Sequence, residues 1–126
     1  MELKEGMYVR IKNKVGYCVI GKIENINDFR EPLMKYCIDI QSNDFIFIPE
    51  EIITKASNNI IDLIEVGDYV NGFRVDEIGE YHSIKTDTVE TYAKVNCSAL
   101  LNCFYKEDIK SIVTKEQFEA MKYEIS

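Results

Sequence analysis

The stretch "IEVGDYVNG", residues 64–72, repeats a phrase from the start of the chain, "LKEGMYVR", residues 3–10. Gly6 and Gly67 stand in one phase, sixty-one residues apart. Each is followed two positions later by a tyrosine (Tyr8, Tyr69) and then by a valine (Val9, Val70). In the first copy Met7, Val9 and Ile11 alternate with Tyr8, Arg10 and Lys12, the period-2 pattern of a strand with one buried face. The second copy breaks at Asn71-Gly72. That dipeptide suits a two-residue hairpin, because both residues tolerate positive φ.

The two halves also close alike. Residues 45–57 read "FIFIPEEIITKAS" and residues 102–117 read "NCFYKEDIKSIVTKEQ", so Glu50-Glu51-Ile52 answers Glu107-Asp108-Ile109. In each half a strand runs into a short acidic turn and then an isoleucine-bearing final strand, the manner in which small SH3-like barrels are written. The expectation is a mainly β protein of two tandem small SH3-like β-barrel modules with one short C-terminal helix. The N-terminal module covers 1–55, a linker covers 56–63, and the C-terminal module with its helix covers 64–126. A single β-sandwich whose strands start alike is the rival.

Between these anchors, alternation and turn residues predict strands over 16–26 (bent at Gly21), 34–40 and 45–48. They also predict two strands turning near Gly79, one over 89–97, and one over 100–105. Thr114 with Gln117 three residues later forms a capping-box pattern. It predicts a helix over 114–122, with "YEI" (123–125) as a strand end.

Net charge is −7 over 126 residues, which disfavours nucleic-acid binding driven by phosphate neutralisation. No apolar run is long enough for a membrane helix, and "MELKEGMYVR" has no apolar signal core, so a cytoplasmic protein is expected. Cys18, Cys37, Cys97 and Cys103 form no C-x-x-C pair, and His82 is the single histidine. Neither a metal site nor a cofactor is expected, and the cysteines read as reduced small hydrophobes. No phosphate loop, dinucleotide fingerprint or zinc-protease motif occurs, and the acidic pairs at 50–51 and 107–108 read as turn residues. The chain is expected not to be an enzyme.

What remains is recognition. The three arginines each stand near an aromatic residue: Arg10 by Tyr8, Arg30 after Phe29, Arg74 after Phe73. "GEYHSIK" adds Tyr81 and His82, and "TYAKVN" adds Tyr92, Lys94 and Asn96. Arginine grips phosphate and stacks on rings, aromatic faces stack bases, and asparagine reads a base edge. Arg30, Arg74, Tyr81, His82, Tyr92, Lys94 and Asn96 are therefore the candidate ligand-binding set, for a nucleotide-derived small molecule.

"ASNNIIDLIEVGDYVNG" (56–72) and "EDIKSIVTKEQFEAMKYEI" (107–125) resemble small accessory proteins of phages and prophages of Gram-positive bacteria. The resemblance implies a counter-defence protein in the cytoplasm of the infected or lysogenic host. Such a protein sequesters a nucleotide-derived immune signal, of the cyclic nucleotide or cyclic ADP-ribose type, without turnover. One alternative is an acidic inhibitor of a host defence protein, anti-CRISPR-like. A second is a nucleic-acid-associated accessory module. Halves this small bury little surface each, and "ALL" (99–101) reads as an apolar loop. A homo-oligomer, a dimer or larger, is therefore expected, with residues 97–104 at its seam and any pocket near it.

Overall fold

In a computed structural model the chain divides into two compact units, residues 1–63 and 64–126. The structure describes residues 2–27, 34–40, 44–96 and 103–124, the last four as backbone only. The first unit contains β1 (Tyr8–Lys12), β2 (Cys18–Ile26), β3 (Tyr36–Ile40), β4 (Asp44–Ile48) and β5 (Ile53–Ser57). The second contains β6 (Tyr69–Val70), β7 (Phe73–Ser83), β8 (Thr88–Val95), β9 (Cys103–Phe104), β10 (Ile112–Val113) and the helix α1 (Lys115–Glu124). The protein is thus mainly β, with two five-stranded antiparallel sheets and one short C-terminal helix.

The two sheets share one strand order. The first runs β4-β3-β2-β1-β5 and the second β9-β8-β7-β6-β10, a four-strand meander whose fifth strand returns beside the first. In each unit a 3-10 turn, Glu50–Ile52 or Lys106–Asp108, leads into that fifth strand. The stretch 56–63 is ordered within the first unit: Ala56 and Ser57 complete β5, and Ile60–Leu63 forms a further 3-10 turn with Ile61 and Leu63 buried.

The correspondence reaches single hydrogen bonds. Gly6 N–H donates to Ile23 O (2.8 Å) and Ile23 N–H to Met7 O (2.8 Å). Gly67 N–H donates to Val75 O (2.9 Å) and Val75 N–H to Asp68 O (2.7 Å). Both glycines have positive φ, 91° and 99°, where a side chain would be strained. Ile23 then pairs with Ile38 and Val75 with Val95, and each sheet has its register shift directly after, at Ile23/Asn25 and at Val75/Glu77.

Alternation explains the cores. Val9, Ile11, Ile23, Ile38 and Ile48 are buried with Val19 and Tyr36 in the first unit. In the second, Val70, Val75, Ala93, Val95 and Ile112 are buried. Each large aliphatic side chain contributes about 1.5–3 kcal/mol by leaving water. Arg10 breaks the outward-polar rule of β1. It is buried, its Nη1 donates to Leu63 O at 3.0 Å, and its own carbonyl accepts from Thr54 Oγ1 at 3.1 Å. This arginine is structural rather than poised for a ligand.

Two expectations differ from the structure. β7 runs unbroken through Gly79 to Ser83, and the chain turns over residues 84–87 instead. Gly79 faces Tyr92 across the strands, and a Cβ there would meet the Tyr92 ring, its Cζ at 2.5 Å. The glycine therefore makes room for a ring rather than a turn. The helix ends later than expected, so Tyr123 and Glu124 are helical. At Asn71-Gly72 both φ values are positive (52° and 87°), and Val70 pairs with Phe73. The Asn71 side chain also ties the hairpin to the approach of β10. Its Oδ1 accepts from Lys110 N–H (2.7 Å) and Ser111 N–H (3.1 Å), and its Nδ2 donates to Asp108 O (2.9 Å).

The start of α1 is fixed twice. Thr114 Oγ1 accepts from Gln117 N–H (3.1 Å), and Gln117 Oε1 accepts from Thr114 N–H (3.0 Å), a reciprocal capping box. The fully buried Asp68 carboxylate accepts from Lys115 N–H (3.1 Å) through Oδ1 and from Glu65 N–H (2.8 Å) through Oδ2. Removing that carboxylate strands two donors away from water. Asp68→Ala is expected to lower stability by about 2–4 kcal/mol, read as a lower urea midpoint by far-UV circular dichroism. A loss under about 0.5 kcal/mol refutes the assignment.

Candidate functional site

With Val9 and Val70 facing the cores, pleating turns Tyr8 and Tyr69 to the opposite, outer face of each sheet. In the first unit Tyr8 pairs with Lys22 and Lys22 with Asp39, making a row of ring, cation and carboxylate. The Lys22 Nζ stands 5.9 Å from the Tyr8 ring centroid. In the second unit Tyr69 pairs with Arg74, and Asn96 N–H donates to Arg74 O at 2.9 Å. The matching row is ring, cation and amide. Asn96 stands where the first unit has Asp39, so the second row has an amide where the first has a carboxylate across from its cation.

Helix α1 adds to this second row. Phe118 stacks on Tyr69, with ring centroids 4.1 Å apart and planes at 24°. Gly67, Tyr69, Arg74, Lys115, Phe118 and Glu119 line a shallow cleft of about 340 Å³. Two cations and one carboxylate thus surround a stacked aromatic pair. Such a cleft suits an anionic group joined to a flat ring system: guanidinium and ammonium hold phosphate oxygens, and the aromatic pair offers a stacking surface. Lys115, Tyr69 and Phe118 are outside the candidate set read from the sequence. Phe118 falls within the helix predicted over 114–122, and nothing in that pattern pairs it with Tyr69.

The sequence-derived set divides three ways. Arg74 and Asn96 lie side by side in the row just described. Tyr81, Tyr92 and Lys94 share the outer face further along the hairpin, where Tyr81 pairs with Glu90, Tyr92 with Gly79 and Lys94 with Glu77. His82 alternates to the other face, pairs with Val89, and has its Nε2 3.1 Å from Asp87 Oδ1 in an exposed contact. The structure therefore separates His82 from Tyr81 and Tyr92. Arg30 lies outside the described residues, as do Cys97 and residues 98–102 of the expected oligomer seam. Of that seam, Cys103 and Phe104 form β9, paired with Lys94 and Ala93.

A third tyrosine joins the hairpin face. The Tyr105 and Tyr92 ring centroids are 6.1 Å apart, with planes at 55°. Partial burial pushes the Tyr105 phenol above its ordinary value, reinforced by Cys103, Tyr81, Glu90 and Tyr92 around it. Among the described residues no group of acidic, cysteine or histidine side chains is arranged to hold a metal ion. No helix among them is long and apolar enough to cross a membrane. The sequence matches no family model, and no curated protein is detectably similar to it.

The raised Tyr105 value has a measurable consequence. Folding favours its protonated form, so its contribution to stability is complete below the unfolded value near 10 and declines as pH rises past it. In a spectrophotometric titration at 295 nm, Tyr105→Phe is expected to remove a late-titrating tyrosine. A variant that instead removes an early-titrating one contradicts the environment described.

Proposed function

We propose that this is a binding protein that sequesters a nucleotide-derived signal without turnover, with the ligand seated in the Tyr69–Arg74–Lys115–Phe118 cleft. The single observation that carries the reading is the contrast between the twin rows. Where the first unit sets Asp39 across from Lys22, the second sets Asn96 beside Arg74 and adds Lys115, Phe118 and Glu119, two cations against one carboxylate. The groups around the cleft grip negative charge and stack on flat rings, which is the chemistry of holding a nucleotide.

Several further features belong to the same reading. Each unit is a small SH3-like barrel, supported by the meander whose fifth strand returns beside the first after a 3-10 turn. The resemblance of residues 56–72 and 107–125 to phage accessory proteins favours a counter-defence role in the cytoplasm of a bacterial host. There the protein works as a homo-oligomer and removes a cyclic nucleotide or cyclic ADP-ribose type signal. A second reading, an acidic inhibitor of a host defence protein, is favoured by the tyrosine and glutamate side chains exposed on the β7–β8 hairpin.

Isothermal titration against cyclic ADP-ribose isomers and cyclic di- and trinucleotides tests the first reading. Heat is expected with at least one of them at protein concentrations above about 10 µM, an affinity near −7 kcal/mol. Arg74→Ala is expected to weaken it at least about tenfold, or about 1.4 kcal/mol, while Lys22→Ala leaves it unchanged. Absence of heat with every ligand overturns the reading.

A further inference from the structure

We propose that the tyrosine face of the β7–β8 hairpin is a docking site for a cationic side chain, the guanidinium head of an arginine presented by a partner protein. The inference is independent of the nucleotide cleft and uses none of its residues.

The geometry comes first. Gly79 has no side chain, so the Tyr92 ring lies over the β7 backbone at that point. Tyr105, held at the head of its 3-10 turn by its N–H to Asp108 Oδ2 (3.0 Å), sets its ring against Tyr92 at 55°. Two rings inclined in this way form a corner. Tyr81, about half exposed, stands on the same face directly across from Glu90. Three tyrosine rings and one carboxylate therefore share one stretch of this face.

The charge selects the occupant. The face of an aromatic ring is electron-rich and attracts cations, and arginine also stacks flat on it. Glu90 adds a full negative charge at the edge of the patch. Its field, with those of the neighbouring phenols and Cys103, reaches Tyr105. Lys94, a cation on this face, stands across from Glu77. Beside the tyrosines Glu77, Glu90 and Lys94 sum to −1, with Arg74 further along the strand, on a chain whose total is −7. An anionic ligand is disfavoured there, although Tyr81 and Tyr92 were candidates for one in the sequence. A guanidinium head meets ring faces on two sides and a carboxylate on a third.

The experiment is a titration of the full chain, followed by NMR, with an arginine-centred pentapeptide and the same peptide carrying citrulline. Citrulline keeps the shape of the arginine side chain and removes its charge. The arginine peptide is expected to shift resonances of Tyr81, Tyr92 and Tyr105 and to bind at least tenfold more tightly than the citrulline peptide. Tyr92→Phe, which keeps a ring, retains binding, whereas Tyr92→Leu weakens it at least tenfold and Glu90→Gln about threefold. Should Tyr92→Leu fail to fold, Tyr92→Phe and Glu90→Gln carry the comparison. Arg74→Ala leaves arginine-peptide binding unchanged, which separates this site from the cleft whether or not that cleft takes a nucleotide. Equal binding of the two peptides, or no shift at millimolar peptide, overturns the proposal. Free guanidinium binding as tightly as the peptide overturns the assignment to a protein partner.

Discussion

The glycine-led clamp between the first and second strands is the constraint on which each sheet depends. In both units a positive-φ glycine donates to the second strand, and that strand donates back to the residue after the glycine. The pair fixes register. Because side chains alternate with period 2, a slip of one residue would send Val9 or Val70 outward and Tyr8 or Tyr69 into the core. The clamp therefore decides simultaneously which residues pack and which form the outer row of ring, cation and polar partner. The register shift directly after it, at Ile23/Asn25 and Val75/Glu77, lets the second strand bend and continue as a long hairpin arm.

On that common frame the two units differ at places that do not disturb it. The first hairpin of the second unit is nine residues shorter: matched positions are sixty-one residues apart before it (Gly6 and Gly67) and fifty-two after it (Ile23 and Val75). Asn71 replaces the lost length with a two-residue turn and three side-chain hydrogen bonds to the segment before β10. After the fifth strand, the first unit makes a single 3-10 turn, with Ser57 donating to Asp62 Oδ2 at 2.6 Å. The second unit extends a capped helix and thereby brings Phe118 onto Tyr69. The exchange of Asp39 for Asn96 sits at matching positions of the two rows and removes a negative charge from the second.

Local chemistry was legible in the sequence. Asn71-Gly72, the Thr114–Gln117 box and the alternation of β1 depend on neighbours within a few residues, and each appears where its pattern lies. Arg74 and Asn96 both stood in the candidate set, but their adjacency depends on a strand pairing between residues twenty-two apart. Three features were hidden for the same reason. Gly79 resembles a turn until Tyr92 is known to lie across from it. Arg10 resembles a ligand residue until Leu63 supplies a buried acceptor. His82 looks grouped with Tyr81, yet consecutive strand residues face opposite ways.

The outer face of the second sheet carries two opposite electrostatic characters, cationic at Arg74 and Lys115, anionic and aromatic at Tyr81, Tyr92 and Glu90. Both persist because of strand geometry. Tyr92 lies across from Gly79, five residues along β7 from Arg74, and Tyr81 is two residues further. With one residue of β7 taken up by the register shift at Val75/Glu77, at roughly 3.3 Å per residue these are separations of about 13 and 20 Å. Physiological salt screens exposed charges beyond about 8 Å. Glu90 therefore does little to neutralise Arg74, and Arg74 does little to repel a cation from the tyrosines. A shorter hairpin would have merged the two patches and cancelled both. The length of β7, running on through Gly79 where a turn residue would have ended it, is what keeps one sheet face able to present two chemistries.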